Sequence, residues 1–199
     1  MSPVTGELAG RWNHNTHYYP LALAATPCNR ALDVGCGDGL LLRLLAARCD
    51  EVVGVDPWGE AAQEAARDLP NVTVLPTDFL AAQLPDASFD LVSSNTAIHH
   101  MDFAAALARM AALLRPGGRL VVVSIGDYGN RLDRTLSALA IVPHRWRSWR
   151  NGFYDHPAPI ADTDMSYGEI RRTAKRIVPG VTYRRRLYWR YSLTWTRPG

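Results

Sequence analysis

Three cysteines in 199 residues are few. Cys28, Cys36 and Cys49 are an odd number with no C-x-x-C pair, which points away from a disulfide framework and from a structural zinc site. A reduced, cytoplasmic setting is the expectation that follows. No stretch approaches the roughly 20 apolar residues that a membrane-crossing helix needs. The first nineteen residues are polar and aromatic, without the apolar centre of a signal peptide. Lysine is nearly missing, with Lys175 alone among 22 basic residues. Internal repeats and low-complexity tracts are also missing.

The charge that is present is unevenly placed. Residues 1–130 carry 8 arginines against 14 acids, and residues 131–199 carry 14 basic residues against 5 acids. Such a split suits either an anionic partner or a solvated, arginine-rich surface, and the near-absence of lysine favours the second. With 47% hydrophobic and 21% charged residues, the chain reads as one globular domain with a full core.

Strand and helix patterns alternate from residue 30 onward. Apolar runs at 30–34, 51–55, 72–75, 89–94 and 115–125 read as buried strands, the last entered through a Pro-Gly-Gly turn. Between them, 40–49, 59–69 and 102–114 read as helices, the third with Asp102 as its N-cap. This order calls for a parallel sheet covered on both faces. Further on, 130–142 has helical spacing and 144–160 is irregular, aromatic and basic. Residues 166–178 form a helix with Ser166 and Glu169 as a capping box. Residues 181–196 alternate as two adjacent strands, an antiparallel edge pair.

The densest signal is "ALDVGCGDGLL" at 31–41. A strand ends at Asp33 and Val34, three glycines follow at alternating positions, and a helix begins. Glycine there lets the backbone approach a ligand and turn without a Cβ clash, and open α/β sheets bind at this end of their strands. Dinucleotide binders space the glycines G-x-G-x-x-G. Here Gly35 and Gly37 fit, but the third position is Leu40 and the third glycine is Gly39. Asp33, two residues before Gly35, suits a ligand with an amino-acid end, whose ammonium meets a carboxylate and whose carboxylate meets backbone amides.

Together with "VVGVDP", "LPTDFL", "FDLVSSNTAIHHM" and "LLRPGGRLVVV", this turn resembles the ordered motifs of class I S-adenosylmethionine (SAM)-dependent methyltransferases, across residues 28–125. The nearest likeness is to the small-molecule branch that includes ubiquinone and menaquinone methyltransferases. The resemblance implies an α/β, Rossmann-like doubly wound sheet of seven strands, mostly parallel, with an antiparallel C-terminal edge pair. It implies SAM as methyl donor and S-adenosylhomocysteine as product. It also implies roles for single residues. Asp33, Gly35, Cys36 and Gly37 would form the turn around the methionine end. Asp56 would accept the ribose hydroxyls, the alternative being a helix N-cap. Pro57 and Trp58 follow, with the Trp58 ring flanking the adenine or merely packed in the core. Thr77, Asp78 and Phe79 would meet the adenine, the alternative for Asp78 being a local Asx turn. Asn95 and Thr96 would orient the methionine moiety.

Methyl transfer from a sulfonium is largely a matter of positioning, and a general base is needed only where the acceptor must lose a proton. His99, with His100 beside it, leaves the fourth strand at the rim of the expected site and is one candidate. The segment around 11–20 supplies others. Trp12, His14, His17, Tyr18 and Tyr19 form either a lid, with Tyr18 or Tyr19 touching the methionine carboxylate and His14 or His17 near the acceptor, or an aromatic cap on the sheet edge. No third ligand accompanies His14 and His17, so a metal is not expected. After the fourth strand stands Asn95-Thr96-Ala97-Ile98, without the Pro-Pro-aromatic continuation of amino-group methylases acting on bases or glutamine. A small organic acceptor, methylated on O, N or C, is therefore expected over a nucleic acid. Residues 1–27 would close the site, 28–125 bind the cofactor, 126–180 shape the acceptor pocket and 181–197 complete the sheet. Trp146, Trp149, Arg145, Arg147 and Arg150 would hold an aromatic or anionic acceptor or else form a dimer face. Methylation of RNA or protein, and SAM binding without chemistry, are the rival readings.

Overall fold

In a computed structural model, residues 12–127, 149 and 163–199 are described. The expected helix at 130–142 and most of the aromatic-basic stretch at 144–160 lie outside them.

The strands are β1 (Cys28–Val34), β2 (Cys49–Val55), β3 (Val72–Leu75), β4 (Phe89–Asn95), β5 (Leu114–Ser124), β6 (Thr182–Arg186) and β7 (Arg190–Thr196). They form one seven-stranded sheet in the order β3-β2-β1-β4-β5-β7-β6. The first five are parallel, while β7 inserts antiparallel between β5 and β6. This is the expected doubly wound sheet with its antiparallel pair. The order reverses between β1 and β4, so the crevice beyond their carboxyl ends is where such a sheet takes a ligand.

The period of two in these strands assigns each residue to a face. Ala31, Val52, Leu91 and Val121 pack under α1 (Tyr19–Leu23), α2 (Leu40–Ala46) and α3 (Glu60–Ala66). Leu32, Val53, Val92, Leu120 and Val122 pack on the other face, under α4 (Phe103–Leu113) and α5 (Tyr167–Ile177). Two apolar faces explain why these strands read as unbroken hydrophobic runs. Asp102 caps α4 by accepting from the Ala105 amide at 2.8 Å. Ser166 and Glu169 form the reciprocal capping box on α5.

Three expectations need correction. The helix expected at 40–49 stops at Ala46, and Cys49 opens β2 instead. The Pro-Gly-Gly segment is drawn into β5, with a register irregularity between Phe89 and Leu91 on the facing strand. Most consequentially, Cys28 and Cys49 form a disulfide across the first pair of the β1–β2 ladder. Two cysteines 21 residues apart are neighbours because the intervening helical crossover returns β2 to the same level as β1. Cys36 stays free and buried.

Candidate cofactor and acceptor site

The glycine turn leaves β1 with Gly35 at φ +75°, and the Gly35 amide donates to the Val55 carbonyl at 2.7 Å. A Cβ on Gly35 would collide with that of Ala97, just past β4. The turn therefore keeps the ends of β1, β2 and β4 in contact. Gly37 donates its amide to Asp56 Oδ2 at 2.9 Å, while Asp56 Oδ1 accepts from the Trp58 amide at 2.9 Å. Each carboxylate oxygen so placed has a lone pair to spare. Trp58 is 74% exposed, which removes the packed-in-the-core alternative for its ring, and Pro57 beside it is also exposed.

Asp33 is buried, accepts a 3.0 Å hydrogen bond from Ser93 Oγ, and has no cationic partner among the described residues. Burial pushes its carboxyl up to about 7, the Ser93 bond opposes this, and the Asp56 and Asp38 charges add to it. Cys36 follows Gly35 with its thiol raised by burial, and so is an unreactive packing residue. Past β3, Thr77 donates its amide to the Leu75 carbonyl at 2.9 Å. Asp78 forms the Asx turn foreseen as its alternative, accepting from the Leu80 amide at 2.7 Å. Its side chain is nonetheless exposed at the same rim. The Phe79 ring is buried in the core.

The N-terminal segment lies across the ends of β4 and β5. Asn95 Nδ2 donates to the Asn15 carbonyl at 3.0 Å and Thr96 Oγ1 to Asn15 Oδ1 at 2.8 Å, with Thr96 at φ +59°. Arg190 Nη2 donates to the same Asn15 Oδ1 at 2.9 Å. Tyr18 is buried and its hydroxyl donates to the Leu187 carbonyl at 2.8 Å. Burial raises that hydroxyl to about 12. Tyr19 belongs to the core under α2. The space left between Tyr18, Tyr19, Leu41 and the ends of β4 and β5 is about 10 Å³, room for one water. His14 stacks on Tyr188 at 5.6 Å between ring centres, and His17 meets the same ring edge-on at 5.0 Å. Both histidines thus serve an aromatic cluster around the tip of the β6–β7 hairpin. His99 is bonded through Nδ1 to Ser124 Oγ at 3.1 Å, and its ring lies 4.0 Å from that of His100. Burial lowers it to about 4, helped by His100 and Arg190.

Of the candidate residues, Asp33, Gly35, Gly37, Asp56, Trp58, Asp78, Asn95 and Thr96 lie at the carboxyl ends of β1, β2, β3 and β4, while His14, His17, Tyr18, Tyr19 and the Phe79 ring pack elsewhere. Asn15, Ser93, Ser124, Tyr188 and Arg190 were not singled out. Ser93 was the most accessible of these, since the β1–β4 register pairs it with Asp33. A separate open concavity of about 550 Å³, bordered by Pro27, Arg48 and Cys49, lies at the amino ends of β1 and β2, away from this chemistry.

A Rossmann-like sheet with a D-x-G-x-G-x-G turn, a carboxylate following β2 and a buried carboxyl in β1 with no cationic partner among the described residues is the frame of a nucleotide-binding fold. Comparison with known proteins agrees. A methyltransferase-domain family model matches residues 32–122. An uncharacterized methyltransferase of Mycobacterium tuberculosis (strain H37Rv) is 37% identical over 196 residues, covering 94% of this chain and 98% of that protein. Among solved structures, the 1,6-didemethyltoxoflavin-N1-methyltransferase of Burkholderia thailandensis, with 1,6-didemethyltoxoflavin and S-adenosylhomocysteine bound, has a TM-score of 0.65 at 18% identity. That match covers 92% of this chain and 77% of that one. The N-methyltransferase NodS of Bradyrhizobium japonicum, in complex with S-adenosylhomocysteine, has a TM-score of 0.62 at 18% identity over 99% and 89% of the two chains. The chain belongs to the class I SAM-dependent methyltransferases. Its methyl donor is SAM. No helix among the described residues is long and apolar enough to cross a membrane.

Proposed function

We propose that the chain methylates a small organic acceptor in a site closed by residues 12–19 and the β6–β7 hairpin tip. The enclosure carries this reading. Asn15 bridges Asn95, Thr96 and Arg190 over the end of β4, and Trp12, His14, Tyr188 and Trp189 pack against one another beside it. A roof drawn from both ends of the chain suits a compact acceptor and obstructs a threaded polymer. The basic C-terminal strands are also engaged internally. Arg185 lies over the Tyr167 ring, Arg186 donates to Ser192 and Arg197 to the carbonyls of Ala112 and Leu114.

SAM supplies an activated methyl group on a sulfonium, and the chain's own residues bind and orient it. Asp33 receives the ammonium in this reading, becoming ionised and paired as it does so. Gly37 and Asp56 hold the ribose side, with Asp56 Oδ1 and Oδ2 each accepting a hydroxyl beside the backbone donor already present. Trp58 and Asp78 flank the adenine, and Asn95 and Thr96 line the methionine end. His99 is neutral at every physiological pH, yet a ring whose conjugate acid titrates near 4 is a weak base. We read it as a hydrogen-bonded rim residue, so that catalysis rests on alignment.

The test is calorimetry with S-adenosylhomocysteine on wild type and Asp56→Ala, followed by methyl transfer from labelled SAM to a panel of small acids, phenols and amines, with RNA alongside. Loss of two charge-assisted hydrogen bonds should weaken binding by roughly 10²-fold or more. Unchanged binding would refute the role of Asp56, and turnover of RNA but no small molecule would refute the acceptor class.

A further inference from the structure

Arg190 is a buried cation with no carboxylate partner among the described residues. It is 9% exposed and is the first residue of β7, beside the end of β5. Its Nη1 donates to the Tyr188 carbonyl at 3.3 Å, its Nη2 to Asn15 Oδ1 at 2.9 Å, and its buried Nε has no partner. Among the described residues no carboxylate pairs with it. A guanidinium out of water without an anion is costly, and such a charge is retained where an anion comes and goes. The atom it does hold is informative. Asn15 Oδ1 accepts from the guanidinium and from the Thr96 hydroxyl together, the donor pair that one oxygen of a carboxylate would take. Thr96 is held at φ +59°, and Tyr188 and Trp189 sit at φ +56° and +58° in the hairpin turn. The paired left-handed residues at 188 and 189 are what the tight β6–β7 turn requires, so it is the buried guanidinium and the oxygen it shares with Thr96 that mark out a receptor.

We propose that Arg190 and Thr96 form a carboxylate receptor for the methyl acceptor, which the Asn15 side chain fills while the acceptor is away. This rests on the reading of the site as that of a small-molecule methyltransferase, and it narrows the substrate class to carboxylic acids. Asn15 has α-helical backbone angles, so alanine can replace it without strain and empty the receptor.

The probes are acetate and acetamide, which have one shape and differ in charge. In Asn15→Ala saturated with S-adenosylhomocysteine, acetate at ten times its dissociation constant should raise Tm by about 3–5 °C. Acetamide should bind at least about tenfold more weakly. The acetate shift should vanish in Asn15→Ala/Arg190→Gln and return in part in Asn15→Ala/Arg190→Lys, which restores the charge without the fork. The lysine variant also keeps the test decisive if the glutamine variant does not fold. Acetamide matching acetate, or an acetate shift indifferent to Arg190, overturns the proposal. S-adenosylhomocysteine affinity separates the remaining failures. If it falls with Arg190 as far as acetate binding does, the guanidinium serves the cofactor's own carboxylate and the acceptor proposal fails. If the wild type does not bind it at all, the cofactor reading fails independently of the receptor.

Discussion

Replacing Asp33 with asparagine should uncouple stability from pH and abolish a proton that cofactor binding releases. In the folded chain burial lifts this carboxyl from 3.8 to about 7, whereas the unfolded chain releases its proton near the lower value. Between the two, the folded state holds more protons, so stability falls as pH rises. The loss is absent below about pH 4 and complete above about 7. Three pH units at ~1.36 kcal/mol each give a ceiling of roughly 4 kcal/mol. The substituted amide brings a constant cost of its own, from a buried NH₂ group, but that cost cancels when the two proteins are compared across pH. The difference in Tm between Asp33→Asn and wild type should therefore move in the variant's favour by about 10 °C from pH 4.5 to pH 8, at 2–4 °C per kcal/mol for a chain of this size. Binding is the complement. At pH 6 the free carboxyl is mostly protonated, and the arriving ammonium forces it to ionise, so S-adenosylhomocysteine should expel close to one proton. At pH 8 it should expel almost none. Calorimetry in two buffers of different ionisation heat reads this directly. Parallel Tm–pH curves for the two proteins, or no proton release at pH 6, would refute the account of Asp33.

Two further substitutions separate folding from binding. Gly35→Ala places a Cβ against Ala97 in a left-handed backbone. The conformational and packing costs together come to roughly 2–5 kcal/mol, and thermal unfolding should show Tm lower by about 10 °C. Trp58→Ala should leave Tm within about a degree, since the ring is 74% exposed. Calorimetry should nevertheless show S-adenosylhomocysteine binding weaker by about 2- to 10-fold if the ring covers the adenine; equal affinities would remove Trp58 from the site.

The turn and strand ends that carry the candidate cofactor residues were legible because their pattern is local. Asp33, Gly35, Gly37 and Gly39 stand in one strand–turn–helix unit, and Asp56 and Asp78 each follow a strand whose hydrophobic run marks its end. Asp102 and Ser166 announced their helices as N-caps, the second reinforced by Glu169 three places on. What stayed hidden depends on the order of the sheet. Asn15 and Arg190 are 175 residues apart and meet only because β7 inserts beside β5. The Tyr18 hydroxyl finds a partner at Leu187, 169 residues away, by the same route. The disulfide was missed for a related reason: placing Cys49 at the end of a helix conceals that it opens the strand beside Cys28.

That insertion also bears on how the chain is made. β6 touches the sheet only through β7, so neither strand can dock until synthesis has passed residue 196. A nascent or prematurely terminated chain carries five finished parallel strands and an open β5 edge, with Val121, Val122 and Val123 in its row of unpaired backbone groups. Open edges of that kind recruit other strands. Lesions that remove β6 and β7 should therefore yield aggregates in place of a weakened enzyme.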